Sequence, residues 1–185
     1  RNNKKRSEIV QKNIACHQKL WYYENEKVSI VDTCPAERRY PMNVTVADCL
    51  KLPTLREAQL IAGAKGTDRA GSSVSVLEWP ETKLLSNELI IGNELIISAL
   101  VTIKDDVARQ CSVLRHLRNM GAAGLVLFYV GVFIPRIDEA LIAVADEINL
   151  PLIAMPFGRM DFRYSDVITD VVEYIHNRRM HGNYY

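Results

Sequence analysis

"LLSNELIIGNELIISAL", residues 84–100, decides how this chain folds. Asn-Glu-Leu-Ile-Ile occurs at 87–91 and again at 93–97, with only Gly92 between the copies. One strand running from 87 to 98 would carry Asn93 and Glu94 into the core unpaired, and burial of an unpaired polar group is costly. Gly92-Asn93 is a turn pair by composition. The stretch therefore reads as a short outer strand or extended loop over 87–91, a tight turn at Gly92-Asn93, and a core strand over 95–98. Nothing around the repeat is itself repeated, so it reads as coincidence rather than duplication.

Downstream, the pattern alternates. Val107, Cys111, Leu114 and Leu117 recur at intervals of four and three, predicting a helix over 105–120 with one apolar stripe. Asp105 and Asp106 suit its positive end, and Gly121 suits a left-handed cap after its last turn. LVLFYV (125–130) is a continuous apolar run, as expected of a strand covered on both faces. A second helix is predicted over 138–149, with Leu141, Val144, Ala145 and Ile148 on one side. LPLIAM (150–155) is a second covered strand, and a last helix starts at Ser165. Strand, helix, strand, helix, strand, helix is the rhythm of a parallel sheet.

Upstream, Thr45 caps a short helix over 46–52, which Pro53 ends. AQLIA (58–62) and SVSVL (73–77) read as strands. They are expected as a small pair ahead of the parallel units. The fold class is thus α/β, a mainly parallel sheet with flanking helices plus this small pair. Gly63, Gly66 and Gly71 lie between the two strands, but the order of a phosphate-binding loop is absent and no helix pattern follows, so the segment reads as a connection. Residues 1–41 are rich in charge, Asn and Gln, and read as an N-terminal extension set apart from a domain over 42–181. A helix over 7–23 is predicted there, on the loosely periodic Ile9, Ile14, Leu20 and Trp21.

The 185 residues are 48% apolar with a net charge of +1, enough for a substantial core and without the basic surface that nucleic acid requires. Apolar runs are too short to span a bilayer, and the polar N-terminus carries no secretory pattern, so a cytoplasmic location is expected. Cysteines at 16, 34, 49 and 111 form no C-x-x-C pair, and the adjacent Cys16-His17 point apart on any regular element. No metal site and no cofactor are expected. Neither a nucleophile elbow nor a zinc-protease motif is present, so no catalytic set is assigned and the chain does not read as an enzyme.

Several stretches together resemble the N-terminal domain of the PucR-like purine-catabolism regulatory family. They are Thr45-Val-Ala-Asp-Cys-Leu50 with Leu52-Pro53, Ala62-Gly63 with Gly66, and Val74-Ser-Val-Leu-Glu78. Asn93-Glu-Leu-Ile-Ile-Ser98, Gly121-Ala-Ala-Gly124, Ile134-Pro135, Ala145-Asp-Glu147, Leu150-Pro-Leu152 and Pro156 continue the match. The resemblance covers roughly 43–175, with Asn93 where the family usually has glycine. It implies a small-molecule-sensing domain of a bacterial transcription regulator that controls purine or related nitrogen-compound catabolism. DNA would be reached only through a separate helix-turn-helix domain, absent from this chain.

Ligands of open parallel sheets collect beyond the carboxyl ends of the strands. That rule selects Ser98, Tyr129, Gly131, Met155 and Phe157, with Tyr129 or Phe157 able to stack on a flat heterocycle. Glu78, after the 73–77 strand, is a candidate acceptor for a purine-like ring N–H, and Glu94, at the turn before the core strand, is a second carboxylate candidate. The expected partners are a purine-like metabolite and a second copy of the chain. A pure dimerisation or interaction module without a ligand site remains an alternative, as does a small enzyme, which would need two close titratable groups in one pocket.

Overall fold

The structure is a computed structural model and describes residues 12–14, 18–20, 44–78 and 92–181. The chain divides into two units, Arg1–Tyr40 and Pro41–Tyr185. In the first, β1 (Lys12–Ile14) and β2 (Gln18–Leu20) pair antiparallel, with Lys12 opposite Leu20. These residues fall inside the helix expected over 7–23, and the pairing overturns it. The weak period there left nothing to favour a helix over a hairpin.

The second unit holds α1 (Val46–Cys49), β3 (Gln59–Ala62), β4 (Ser73–Val76), β5 (Glu94–Ser98), α2 (Val107–Asn119), β6 (Gly124–Leu127), α3 (Glu139–Glu147), β7 (Leu152–Ala154) and α4 (Tyr164–His181). One five-stranded sheet runs in the order β3-β7-β6-β5-β4. β4, β5, β6 and β7 are parallel, and β3 is antiparallel to β7. The expected parallel core strands are present and adjacent. Successive side chains of β5, β6 and β7 point to opposite faces. Ile96, Leu125, Leu127 and Leu152 meet Val113, Leu114 and Leu117 of α2 and Leu141 and Ala145 of α3. Leu95, Ile97, Val126 and Ile153 meet Val46 and Cys49 of α1 and Val167, Val171 and Ile175 of α4. Burial on both faces is why these strands are apolar at every position, each large side chain contributing ~1.5–3 kcal/mol by its burial.

The two strands expected as a pair are both present, yet they do not touch. β3 and β4 form opposite edges of the sheet. Segment 63–72 carries the chain between them past the amino ends of the parallel strands. At ~3.3 Å per residue it reaches ~30 Å, against ~19 Å for four inter-strand steps. It runs close to backbone. A Cβ on Gly63 would lie 2.0 Å from the Leu150 carbonyl oxygen, and one on Gly66 2.2 Å from that of Asn149. The glycines serve this close approach, and the segment is the connection anticipated.

Local signals place the helix ends. The Thr45 hydroxyl and the Asp48 carboxylate form a reciprocal capping box on α1. Asp106 caps α2 by accepting from the Arg109 N–H at 2.9 Å, and Asp138 caps α3 by accepting from the Ala140 N–H at 2.9 Å. The inward stripe of α2 is rotated from the expected one, running through Gln110, Val113, Leu114 and Leu117, with Cys111 only half-buried. Gln110 is inside because its amide donates to the Ile103 and Lys104 carbonyls, each at 3.0 Å.

The turn before β5 is present, with Gly92 at φ 92° and Asn93 at φ 57°. Asparagine tolerates this left-handed conformation better than most residues, which lets it stand at a turn position that otherwise suits glycine. The first copy of the repeat, 87–91, lies outside the described residues. Glu94 is not at the turn but is the first residue of β5, and only 6% exposed.

Candidate ligand-binding site

The chain leaves the carboxyl ends of β6 and β7 toward opposite faces of the sheet. After β6 it turns to α3 on one face, and after β7 to α4 on the other. Where neighbouring strand ends diverge this way, a crevice opens between the loops. A cavity of about 390 Å³ lies there, within the range of small-molecule sites. Edge strand β3 and the residues before it supply Glu57, Gln59 and Ile61. The β6–α3 loop and α3 supply Val130, Arg136, Ile137 and Ile142, and the end of β7 with its loop supplies Ala154, Met155, Pro156 and Phe157.

The two loops are fastened to each other. The Gly158 N–H of the β7 loop donates to the Val130 carbonyl of the β6 loop at 2.8 Å, and within the β6 loop the Gly131 N–H donates to the Ile134 carbonyl at 2.7 Å. Gly131 has φ 86°, and any Cβ there would lie 2.7 Å from the tip of the Phe157 ring. The ring therefore lies across a bare glycine, and remains 70% exposed. Beside the lining residue Glu57, Arg159 pairs with Asp161, lies 3.6 Å from Glu57, and sits over the Phe162 ring at 4.7 Å. The hydrogen bond from Arg159 holds the Asp161 carboxyl down at about 2.

Of the residues expected at the site, Met155 and Phe157 line the cavity, and Gly131 supports Phe157. Glu78, Ser98 and Tyr129 form a separate group at the carboxyl ends of β4, β5 and β6. Glu78 Oε1 accepts from the Tyr164 hydroxyl at 2.7 Å and from the Ala99 N–H at 3.3 Å. The buried Ser98 hydroxyl oxygen accepts from the Leu100 N–H at 3.0 Å. Tyr129 donates to the Phe162 carbonyl at 3.3 Å and stacks on Tyr164, with ring centroids 5.7 Å apart. Burial foremost, then the Glu78 bond, pushes the Tyr164 phenol well above its ordinary range. Glu94 lies at the other, amino end of the sheet, accepting from the Ser73 and Ser75 hydroxyls at 3.2 and 3.0 Å.

Glu57, Gln59, Arg136, Ile137 and Ile142 were not anticipated. Arg136 follows Ile134-Pro135 in a carboxyl-end loop and was within reach of the strand-end rule. Glu57 and Gln59 enter only through the β3–β7 pairing. Among the described residues no cluster of three or more His, Cys, Asp or Glu is placed to hold a metal, and no helix is long and apolar enough to cross a membrane.

The sequence pattern of the PucR, purine catabolism regulatory protein-like, family matches residues 48–175. The chain belongs to that family, a family of regulators. It is also similar to the purine catabolism regulatory protein of Bacillus subtilis (strain 168), at 24% identity over 136 residues, which is 74% of this chain and 24% of the relative. The chain thus spans about a quarter of that relative's length.

Proposed function

We propose that the sheet domain is the sensory part of a transcription regulator of purine or related nitrogen-compound catabolism, taking a small nitrogen-rich metabolite at the carboxyl edge of the sheet. The observation that carries this reading is the cavity between the diverging β6 and β7 loops, with Phe157 laid over Gly131 at its wall. α4 begins directly after the β7 loop, so a ligand that favours one arrangement of that loop also favours one placement of α4. Family membership supports the regulatory role, and the name of the Bacillus relative supports purines as the metabolite class.

A thermal-shift screen against purines and their breakdown products tests the reading. A ligand at a hundred times its Kd stabilises the folded domain by about 2.7 kcal/mol, a shift of several degrees in Tm. An intact fold that responds to none of them would overturn it. A dimer contact is a second reading, supported by the exposure of Val76 on edge strand β4 and of Val172 and Met180 on α4. Light scattering of the purified chain, which would give a monomer mass if that reading is wrong, tests it.

A further inference from the structure

The two charged side chains that line the cavity, Glu57 and Arg136, are opposite in sign but form no ion pair with each other. Glu57 has a cation beside it, its Oε2 3.6 Å from Arg159, which it shares with Asp161. Gln59 is neutral and offers both donors and an acceptor. Arg136 lines the same cavity from the β6–α3 loop and has no hydrogen-bond or ion-pair partner among the described residues. Guanidinium is a planar fork of donors that matches a carboxylate or a delocalised ring anion. The remaining lining is apolar, and Phe157 presents a flat ring that Gly131 lets lie close to the loop backbone. A site of this kind offers one counter-charge, one adaptable amide and an aromatic face.

We infer that the cavity takes a flat anion: a conjugated ring carrying a carboxylate, or a heterocycle that has lost an acidic N–H. The ring packs against Phe157 and the negative group pairs with Arg136. This deepens the sensory reading and rests on it. A neutral base would bury its ring equally well but leave the guanidinium without a counter-charge. A dianionic ligand would set its second charge against Glu57.

Ring-matched probes separate charge from shape. Calorimetric titration of the chain with uracil against orotate, and with nicotinamide against nicotinate, compares the same ring with and without a carboxylate. The carboxylate member of at least one pair is expected to bind about tenfold tighter or better, and the margin to shrink with added salt. Arg136→Gln is expected to remove the preference. Because Arg136 is exposed, the variant should melt where the parent does. A preference that survives Arg136→Gln overturns the inference, as does equal binding of both members of each pair. So does binding of neutral purines with neither carboxylate bound; all three results leave the sensory reading standing. No binding by any probe or by the purine panel overturns both.

Discussion

The Tyr164 hydroxyl donates a 2.7 Å hydrogen bond to Glu78 Oε1, tying the first residue of α4 to the residue two beyond the end of β4. The Tyr164 ring is held at the same time, edge-on to Phe128 with centroids 4.6 Å apart. Tyr164→Phe keeps the ring contacts and deletes only the hydroxyl. A hydrogen bond to a charged group contributes about 1.5–3 kcal/mol, so the variant should lose about that much in urea unfolding with an unchanged m-value. If Glu78→Gln and the double variant show that the two losses simply add, the side chains are not coupled and the tie is incidental.

Glu94 is a carboxylate buried at the amino end of the sheet and held by two serine hydroxyls of the neighbouring strand. Glu94→Ala removes the shared acceptor and leaves both hydroxyls short of a partner. A destabilisation of about 2–4 kcal/mol is expected. Ligand affinity at the carboxyl edge, measured by titration on the folded variant, should stay within about twofold, since sites this far apart act independently. A large affinity loss with stability intact would instead make Glu94 a binding residue.

What could be read from the sequence follows from the range of the forces involved. Asp106, Gly121 and Asp138 announce helix ends because capping is settled within one turn, and all three occupy those positions. Leu95–Ile97, Leu125–Leu127 and Leu152–Ala154 announce core strands because burial on both faces demands an unbroken apolar run. β3 gave no sign of its partner. Whether it pairs with β4 or β7 depends on a connection threading past Leu150 and Pro151, which no local pattern encodes. Glu57 and Gln59 were hidden for the same reason, as they line one cavity with Arg136 only once β3 lies beside β7. Gln110 and Glu94 are polar groups inside the core, each legible only when the carbonyls or hydroxyls that satisfy it are in place.

Gly63 and Gly158 have nearly the same φ, 71° and 70°, and opposite surroundings. A Cβ on Gly63 would fall 2.0 Å from a backbone carbonyl, whereas one on Gly158 would meet nothing within 4 Å. Gly158→Ala should therefore cost only the left-handed conformation, ~1–2 kcal/mol. Gly63→Ala adds a clash between two backbones that cannot turn away, and should cost on the order of 3–5 kcal/mol or prevent folding. Thermal melts of the two variants side by side check this. Equal losses would mean that the 63–72 connection yields freely and does not fix β3 against β7.

Cys49 lies under the sheet on the α1 side, 1% exposed, and burial foremost, then the nearby Asp48 charge, pushes its thiol from 9.0 to about 11. The folded value is the higher one, so the folded state holds its proton where the unfolded chain has lost it. The resulting contribution is complete below about pH 9 and is lost as pH rises from there toward about 11. Two pKa units correspond to about 2–3 kcal/mol. Wild type should therefore lose about that much more stability than Cys49→Ala between pH 8.5 and 11, a range fixed by the two pKa values. The remaining titrations are shared by both proteins and cancel in the difference. Parallel stability curves would show that the thiol ionises as easily in the fold as in water.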